Sequence, residues 1–277
     1  SEIPAVVLGL LISTENSPRN AIRSVLRRSI YVLIPFSVLL IKYFPQYGVA
    51  YSPTEGTLMW TGVAMQKNGL GILASLASLF LVGDLTRRWK LKEWRGSRYQ
   101  FFAEFFLLAL SLWLLKGPGT YSATSIVMLV TGMSIYIGLM AGRKRRSLAS
   151  AKIFMVVMVF LIVYGTTAPL IGKLPGRDFS SNFGRDSTLT GRSDIWKILV
   201  PEAMGKPLLG HGFGGFWTDA NRARFVFFPA HNGYLETLLA LGYMGLLLFS
   251  FFLLSSSRKA IGELEYEFDW GALWLCW

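Results

Sequence analysis

The sequence predicts an all-α polytopic membrane protein, and two observations carry that prediction. Apolar residues make up 52% of the 277 and charged residues only 16%, with a mean hydropathy of +0.44. A soluble domain usually carries about 25% charge. The apolar residues are also gathered into long runs, and short basic stretches separate the runs.

Six runs are long enough, or nearly so, for the roughly 17–25 helical residues that a bilayer requires. They cover residues 29–44, 69–85, 100–115, 121–142, 153–171 and 232–254. The first and third are short and must borrow flanking residues. Pro35 is expected to kink the first, which neighbouring helices can tolerate. Partial spans stand at both ends, at residues 3–12 and in the aromatic stretch 270–277. These fragments suggest a piece of a longer membrane protein.

The loops alternate in charge. Arg19, Arg23, Arg27 and Arg28 precede the first span; Arg87, Arg88, Lys90, Lys92, Arg95 and Arg98 follow the second. Arg143, Lys144, Arg145, Arg146 and Lys152 separate the fourth from the fifth, and Arg258 and Lys259 follow the sixth. Those regions hold 17 of the 28 Lys and Arg residues, so the positive-inside rule makes them cytoplasmic. The opposite side then receives residues 45–68, 116–120 and 172–230. The expected organisation is membrane helices with short loops over 1–171, a large periplasmic loop over 172–230, and over 231–277 a last span with a cytoplasmic or truncated end. Topology accounts for the net charge of +12, so nucleic acid is not an expected partner. The single cysteine, Cys276, excludes an internal disulfide and a Cys-based metal site.

The 59 residues of 172–230 are the anomaly, because loops of that length usually hold an ordered lid or binding element. A short amphipathic helix is expected over 193–204, with Ile195, Trp196 and Leu199 on one face, Ser193 as N-cap and Asp194 in the first turn. Eight basic residues fall in this loop on the face where topology does not require them, which asks for an anionic partner.

Candidate chemistry gathers on that face. His231 stands where the polar segment enters the last span, and an imidazole can accept a proton from a hydroxyl near neutral pH; the competing reading is a satisfied interface histidine. Arg192 immediately precedes the expected short helix. A helix N-terminus and a guanidinium together would suit a diphosphate, with Arg185 a few residues upstream. The alternative is a surface arginine paired to Asp186 or Asp194. Lys67 and Asn68 open the second span and are expected on the same face as His231, although an interfacial lysine often only snorkels. The run Gly210-His-Gly-Phe-Gly-Gly-Phe-Trp217 lacks the Lys-Ser/Thr of a P-loop, so a tight turn approaching a ligand or a neighbouring helix is the better reading. His211 is a weaker second candidate for chemistry. Glu104, one turn into a span, is a functional candidate by default, but it and Asp84 lie toward the cytoplasmic side. No Asp-x-Asp pair, metal-ligand spacing or Gly-x-Ser-x-Gly elbow is present, and no cofactor is called for.

Four segments in order resemble a known family. They are Lys67-Asn-Gly-Leu-Gly71; Thr190-Gly-Arg192 with Trp196; Pro207-Leu-Leu-Gly-His-Gly-Phe-Gly214; and Ala230-His-Asn-Gly-Tyr-Leu235 followed by Gly242-Tyr-Met-Gly245. The pattern resembles the O-antigen ligase and polysaccharide polymerase superfamily, nearest its exopolysaccharide-polymerase-like branch. The resemblance implies a GT-C-like, multi-pass glycosyltransferase of the bacterial inner membrane, with its active site facing the periplasm. Its donor would be an undecaprenyl-diphosphate-linked glycan, and its acceptor a lipid A core sugar or a second lipid-linked glycan. Carried onto these residues, His231 would be the general base and Arg192 would engage the diphosphate, with Arg185 and Lys67 assisting. Asn68, Asn232, Tyr234, Gly210 and Gly212 would support them. Members carry more spans than the six read here. The rival from another class is a transporter or flippase of lipid-linked oligosaccharide, which usually places its ionisable groups at mid-membrane on broken helices.

Overall fold

A computed structural model describes residues 3–51, 56–64, 66–117, 122–142, 148–171, 192–225 and 230–276. The described chain is almost wholly helical, as an all-α polytopic membrane protein should be. Each of the six expected spans falls on a helix: α2 (Pro18–Tyr43), α4 (Lys67–Lys90), α5 (Arg98–Lys116), α6 (Ala123–Gly142), α7 (Leu148–Ile171) and α10 (Gly233–Tyr266). All of these except α7 are long and apolar enough to cross a bilayer over their described residues; the corresponding stretch of α7 is the shorter Phe154–Thr167. The partial spans at the two ends are α1 (Ile3–Thr14) and α11 (Phe268–Cys276).

Pro35 lies inside the continuous helix α2. Two differences from the sequence reading are local. Between α2 and α4 a short helix, α3 (Pro45–Gly48), leads into two three-residue strands, β1 (Val49–Tyr51) and β2 (Leu58–Trp60), paired antiparallel with Ala50 opposite Met59. The short helix of the large loop, α8 (Arg192–Gly205), starts one residue earlier than expected and therefore includes Arg192 rather than capping on Ser193. Helix ends are the least determined part of any sequence reading.

The chain divides into two compact units. The first comprises Ser1–Lys144 and Glu263–Trp277. Its centre is α4, whose buried face includes the small residues Gly71, Ala74, Ser75, Ala77, Ser78 and Gly83. In a membrane, helices have little hydrophobic drive to associate, and small residues let backbones approach closely enough for dispersion and hydrogen bonds to act. Ser75 accordingly donates its hydroxyl to the Ser125 carbonyl at 2.9 Å, and a Cβ on Gly83 would stand 2.8 Å from Leu273.

Charge inside this unit is organised around Asp84 and Glu104, both buried. Arg27 reaches Asp84 at 2.8 Å and Glu104 at 3.2 Å, Arg88 reaches the same two carboxylates at 2.9 and 3.4 Å, and Arg87 stands 3.6 Å from Asp84. Asp84 is thus held by named arginines of α2 and α4, and Glu104 shares two of them. Ionic groups taken out of water must be paired to be tolerated.

The second unit comprises Arg145–Gly262. Its core joins Trp196, Leu199 and Ala203 of α8 to Leu235, Leu238 and Leu239 of α10, with Phe216 and Phe225 filling the space around them. Between the aromatics lies a six-residue helix, α9 (Asp219–Arg224), capped by the Thr218 side chain, which accepts from the Asn221 N–H at 3.3 Å.

Candidate active site

The start of α10 is fixed by its own sequence. Asn232 is the N-cap: its side-chain oxygen accepts from the Tyr234 N–H at 2.9 Å and the Leu235 N–H at 3.1 Å, two of the donors that a helix leaves unsatisfied at its first turn. His231, immediately before it, is exposed and has φ of +54°. A residue with a Cβ pays to sit in the left-handed region, so the surroundings must hold it there.

They do so through Ala230, which is 0% exposed. Its carbonyl accepts from the indole Nε1–H of Trp196 at 2.9 Å, and its N–H donates to Oε1 of Glu236 at 2.6 Å. The other oxygen of Glu236 accepts from the indole of Trp217 at 2.8 Å. One carboxylate in the first turn of α10 therefore binds both the residue before His231 and the aromatic cluster, and it also complements the positive end of the helix dipole. Trp217 packs edge-on to Phe216 at 4.8 Å, and Phe216 stacks on Phe225 at 5.9 Å.

Of the residues singled out in the sequence, the structure brings His231, Asn232, Tyr234, Gly210 and Gly212 into the second unit. Arg192 is the first residue of α8, one turn ahead of the Trp196 that is tied to Ala230. Arg185 lies outside the described residues. Lys67 and Asn68 belong to the first unit, as the first two residues of α4. Lys67 is half-buried there and lines a small cleft with Trp60, Leu114 and Ser122. Tyr234 packs edge-on against Phe249 at 5.9 Å, and its ring closes on Gly165 of α7, where a Cβ would collide with it. His211 sits edge-on to Phe216 at 5.1 Å, with Nε2 3.5 Å from the Glu202 carbonyl. Among the described residues no group of three His, Cys, Asp or Glu side chains converges in a metal-ligating arrangement.

The glycine-rich turn approaches a neighbouring helix. Gly210 has φ of +64°, and a Cβ there would stand 2.6 Å from the Ala240 carbonyl carbon of α10. Opposite it, α10 itself is interrupted at Gly242, with φ of 63° and ψ of −163°. The sequence reading of a continuous last span missed this break. It also passed over Glu236 and Trp217. An acidic residue one turn into an apolar span was the available signal for Glu236, whereas Trp217, 19 residues upstream, offers no local spacing to find.

The sequence also matches known proteins. The family model described as O-antigen ligase matches residues 107–250, just over half of the chain. The chain is 26% identical over 241 residues to exopolysaccharide production protein ExoQ of Rhizobium meliloti (strain 1021), covering 81% of this chain and 52% of that protein. It therefore spans about half the length of the curated relative it matches. No solved structure matches significantly.

Proposed function

Because the chain belongs to the O-antigen ligase family, we propose that the whole protein is a ligase- or polymerase-type glycosyltransferase of the bacterial inner membrane. In this reading the large loop and His231 face the periplasm. The donor is a glycan linked to undecaprenyl diphosphate. The acceptor is a sugar hydroxyl, either on lipid A core or on a second lipid-linked glycan.

The observation that carries the proposal is how His231 is held. A histidine kept exposed in the left-handed region, at the mouth of a membrane-crossing helix, has its neighbour Ala230 clamped from both sides by Trp196 and Glu236. One side of the clamp, Trp196, comes from α8, the helix that opens with Arg192. Such fixed geometry suits a general base that must lie within hydrogen-bond reach of an acceptor hydroxyl, a role typically contributing 10²–10⁴-fold.

The chemistry follows. The acceptor oxygen attacks the anomeric carbon while its proton passes to the His231 imidazole. The bond from that carbon to the diphosphate oxygen breaks, and undecaprenyl diphosphate leaves. Arg192, with Arg185 assisting, stabilises the charge growing on the leaving group, so the reading calls for no metal. A single displacement inverts the anomeric configuration. Asn232 fixes the helix start behind the base, Tyr234 packs beside it, and Gly210 and Gly212 shape the supporting turn.

The test uses proteoliposomes of the full-length protein, a fluorescent lipid-linked glycan and EDTA. Wild type is expected to release undecaprenyl diphosphate, whereas His231→Ala binds donor without turnover. Equal turnover in both would overturn the role of His231. A product with retained configuration would overturn the single displacement. Donor that crosses the bilayer unconsumed would make the protein a transporter.

A further inference from the structure

The break in α10 and the glycine-rich turn are one feature. Helix α10 has no charged residue between Glu236 and Arg258, a stretch that at 1.5 Å per residue matches a hydrocarbon layer of about 30 Å. Its interruption at Gly242 withdraws backbone groups from the helical ladder inside that stretch, where water cannot replace the lost bonds. The turn replaces them. The Tyr243 N–H donates to the Pro207 carbonyl at 2.7 Å, the Met244 N–H donates to the Leu208 carbonyl at 3.2 Å, and the Leu239 carbonyl accepts from the His211 N–H at 2.9 Å.

These bonds require direct backbone contact. A Cβ on Gly242 would run into the Leu208 carbonyl, and one on Gly210 would run into Ala240. Contact at Leu239–Met244 lies three to eight residues beyond Glu236, about 5–12 Å inward along the helix. The turn must therefore reach that depth as well. Its composition agrees, for nothing between Lys206 and Asp219 is charged. The side chains turned away from α10 are large and apolar: Leu208 is 73% exposed, Leu209 71% and Phe213 81%. Within the turn, Gly210 donates to the Lys206 carbonyl and Gly215 to the Gly212 carbonyl, both at 3.0 Å, which keeps further N–H groups satisfied.

We infer that residues 207–216 form a re-entrant element that enters the bilayer beside α10 and packs Leu208, Leu209 and Phe213 among the lipid acyl chains. The sequence reading placed the whole of 172–230 outside the membrane; this part of it is a membrane contact. Irregular backbone at such depth is tolerated where protein covers it, and the bonds to Leu239, Tyr243 and Met244 supply that cover. The inference stands apart from the transferase reading, since it depends only on α10 crossing the membrane.

The experiment places single spin labels in the full-length protein, in a background with its other cysteines changed to serine, at Leu208→Cys, Phe213→Cys, Met244→Cys and Ala220→Cys. Collision rates with oxygen and with a water-soluble nickel chelate are measured in proteoliposomes. Labels at 208 and 213 are expected to meet oxygen and escape the chelate, as the label at 244 does, while 220 on α9 shows the reverse. Chelate access at 208 and 213 equal to that at 220 would make the turn aqueous and overturn the inference. Shielding from both reagents would mean protein covers the face, which overturns its contact with lipid. Should a variant fail to fold, hydroxyl-radical footprinting of the unaltered protein in nanodiscs decides the matter. Phe213 is expected to stay unmodified, and modification as fast as that of the exposed Tyr266 would overturn the inference.

Discussion

The indole N–H of Trp196 donates to the carbonyl of Ala230 at 2.9 Å, and the bond is buried. It ties the second turn of α8 to the residue preceding His231. Trp196→Phe keeps an aromatic ring in the core and leaves the carbonyl unpaired, a loss of about 1–3 kcal/mol. The expected outcome is a lower thermal midpoint of the full-length protein together with at least a tenfold fall in undecaprenyl diphosphate release. Unchanged turnover would separate the clamp from the chemistry.

Glu236 accepts two bonds at once, from the Ala230 N–H at 2.6 Å and the Trp217 indole at 2.8 Å. Glu236→Gln preserves the size but offers one carbonyl oxygen and turns an NH2 toward the other donor. Hydrogen bonds to a charged group are worth about 1.5–3 kcal/mol, so a destabilisation of that order is expected. Trp217→Phe should cost less, because it leaves the Ala230 bond in place. Comparing the melting of the two variants with wild type in detergent checks the ranking.

The ion network of the first unit predicts a second ranking. Among the described residues Asp84 meets Arg27, Arg88 and Arg87, whereas Glu104 meets two arginines, Arg27 and Arg88, at 3.2 and 3.4 Å, and accepts from the Gln100 amide at 3.3 Å. Removing one partner of a buried pair strands the other charge and costs about 3–5 kcal/mol. Asp84→Asn should therefore lower the melting midpoint more than Glu104→Gln. Replacing Glu104 and Arg88 together by apolar residues should recover part of the loss, as a double-mutant cycle would show.

These examples also mark what was legible in advance. The helices were legible because a bilayer demands long uncharged runs, and α2, α4 and α10 announce themselves that way. His231 stood out because a titratable group at the mouth of such a run is costly unless it is used. Gly210 was legible as a close backbone approach, though its partner was not. The Glu236–Trp217 bond, 19 residues apart, and the Arg27–Asp84 bond, 57 apart, have no periodicity to betray them. Gly242 was hidden for a different reason. A glycine inside an apolar span is ordinary in membrane helices, and only the backbone shows that this one stops the helix.

That glycine permits the sharpest separation of two effects. Gly210, Gly212 and Gly242 all have positive φ, at +64°, +88° and +63°. Each therefore carries a backbone penalty on change to alanine, about 1–2 kcal/mol in the left-handed region. The penalty is larger at Gly242, whose ψ of −163° puts it in a region nearly confined to glycine. Their surroundings differ. A new Cβ at 212 meets nothing within 4 Å, at 210 it meets the Ala240 backbone at 2.6 Å, and at 242 it collides with the Leu208 carbonyl. Gly212→Ala should therefore cost only the backbone term and leave a folded protein. Gly210→Ala and Gly242→Ala must in addition push the turn off α10, exposing the Tyr243 and Met244 N–H groups to hydrocarbon. The expected result is a modest drop in melting midpoint for 212 and a much larger one for 210 and 242. Equal melting of all three would mean that the turn and the broken helix are not in backbone contact.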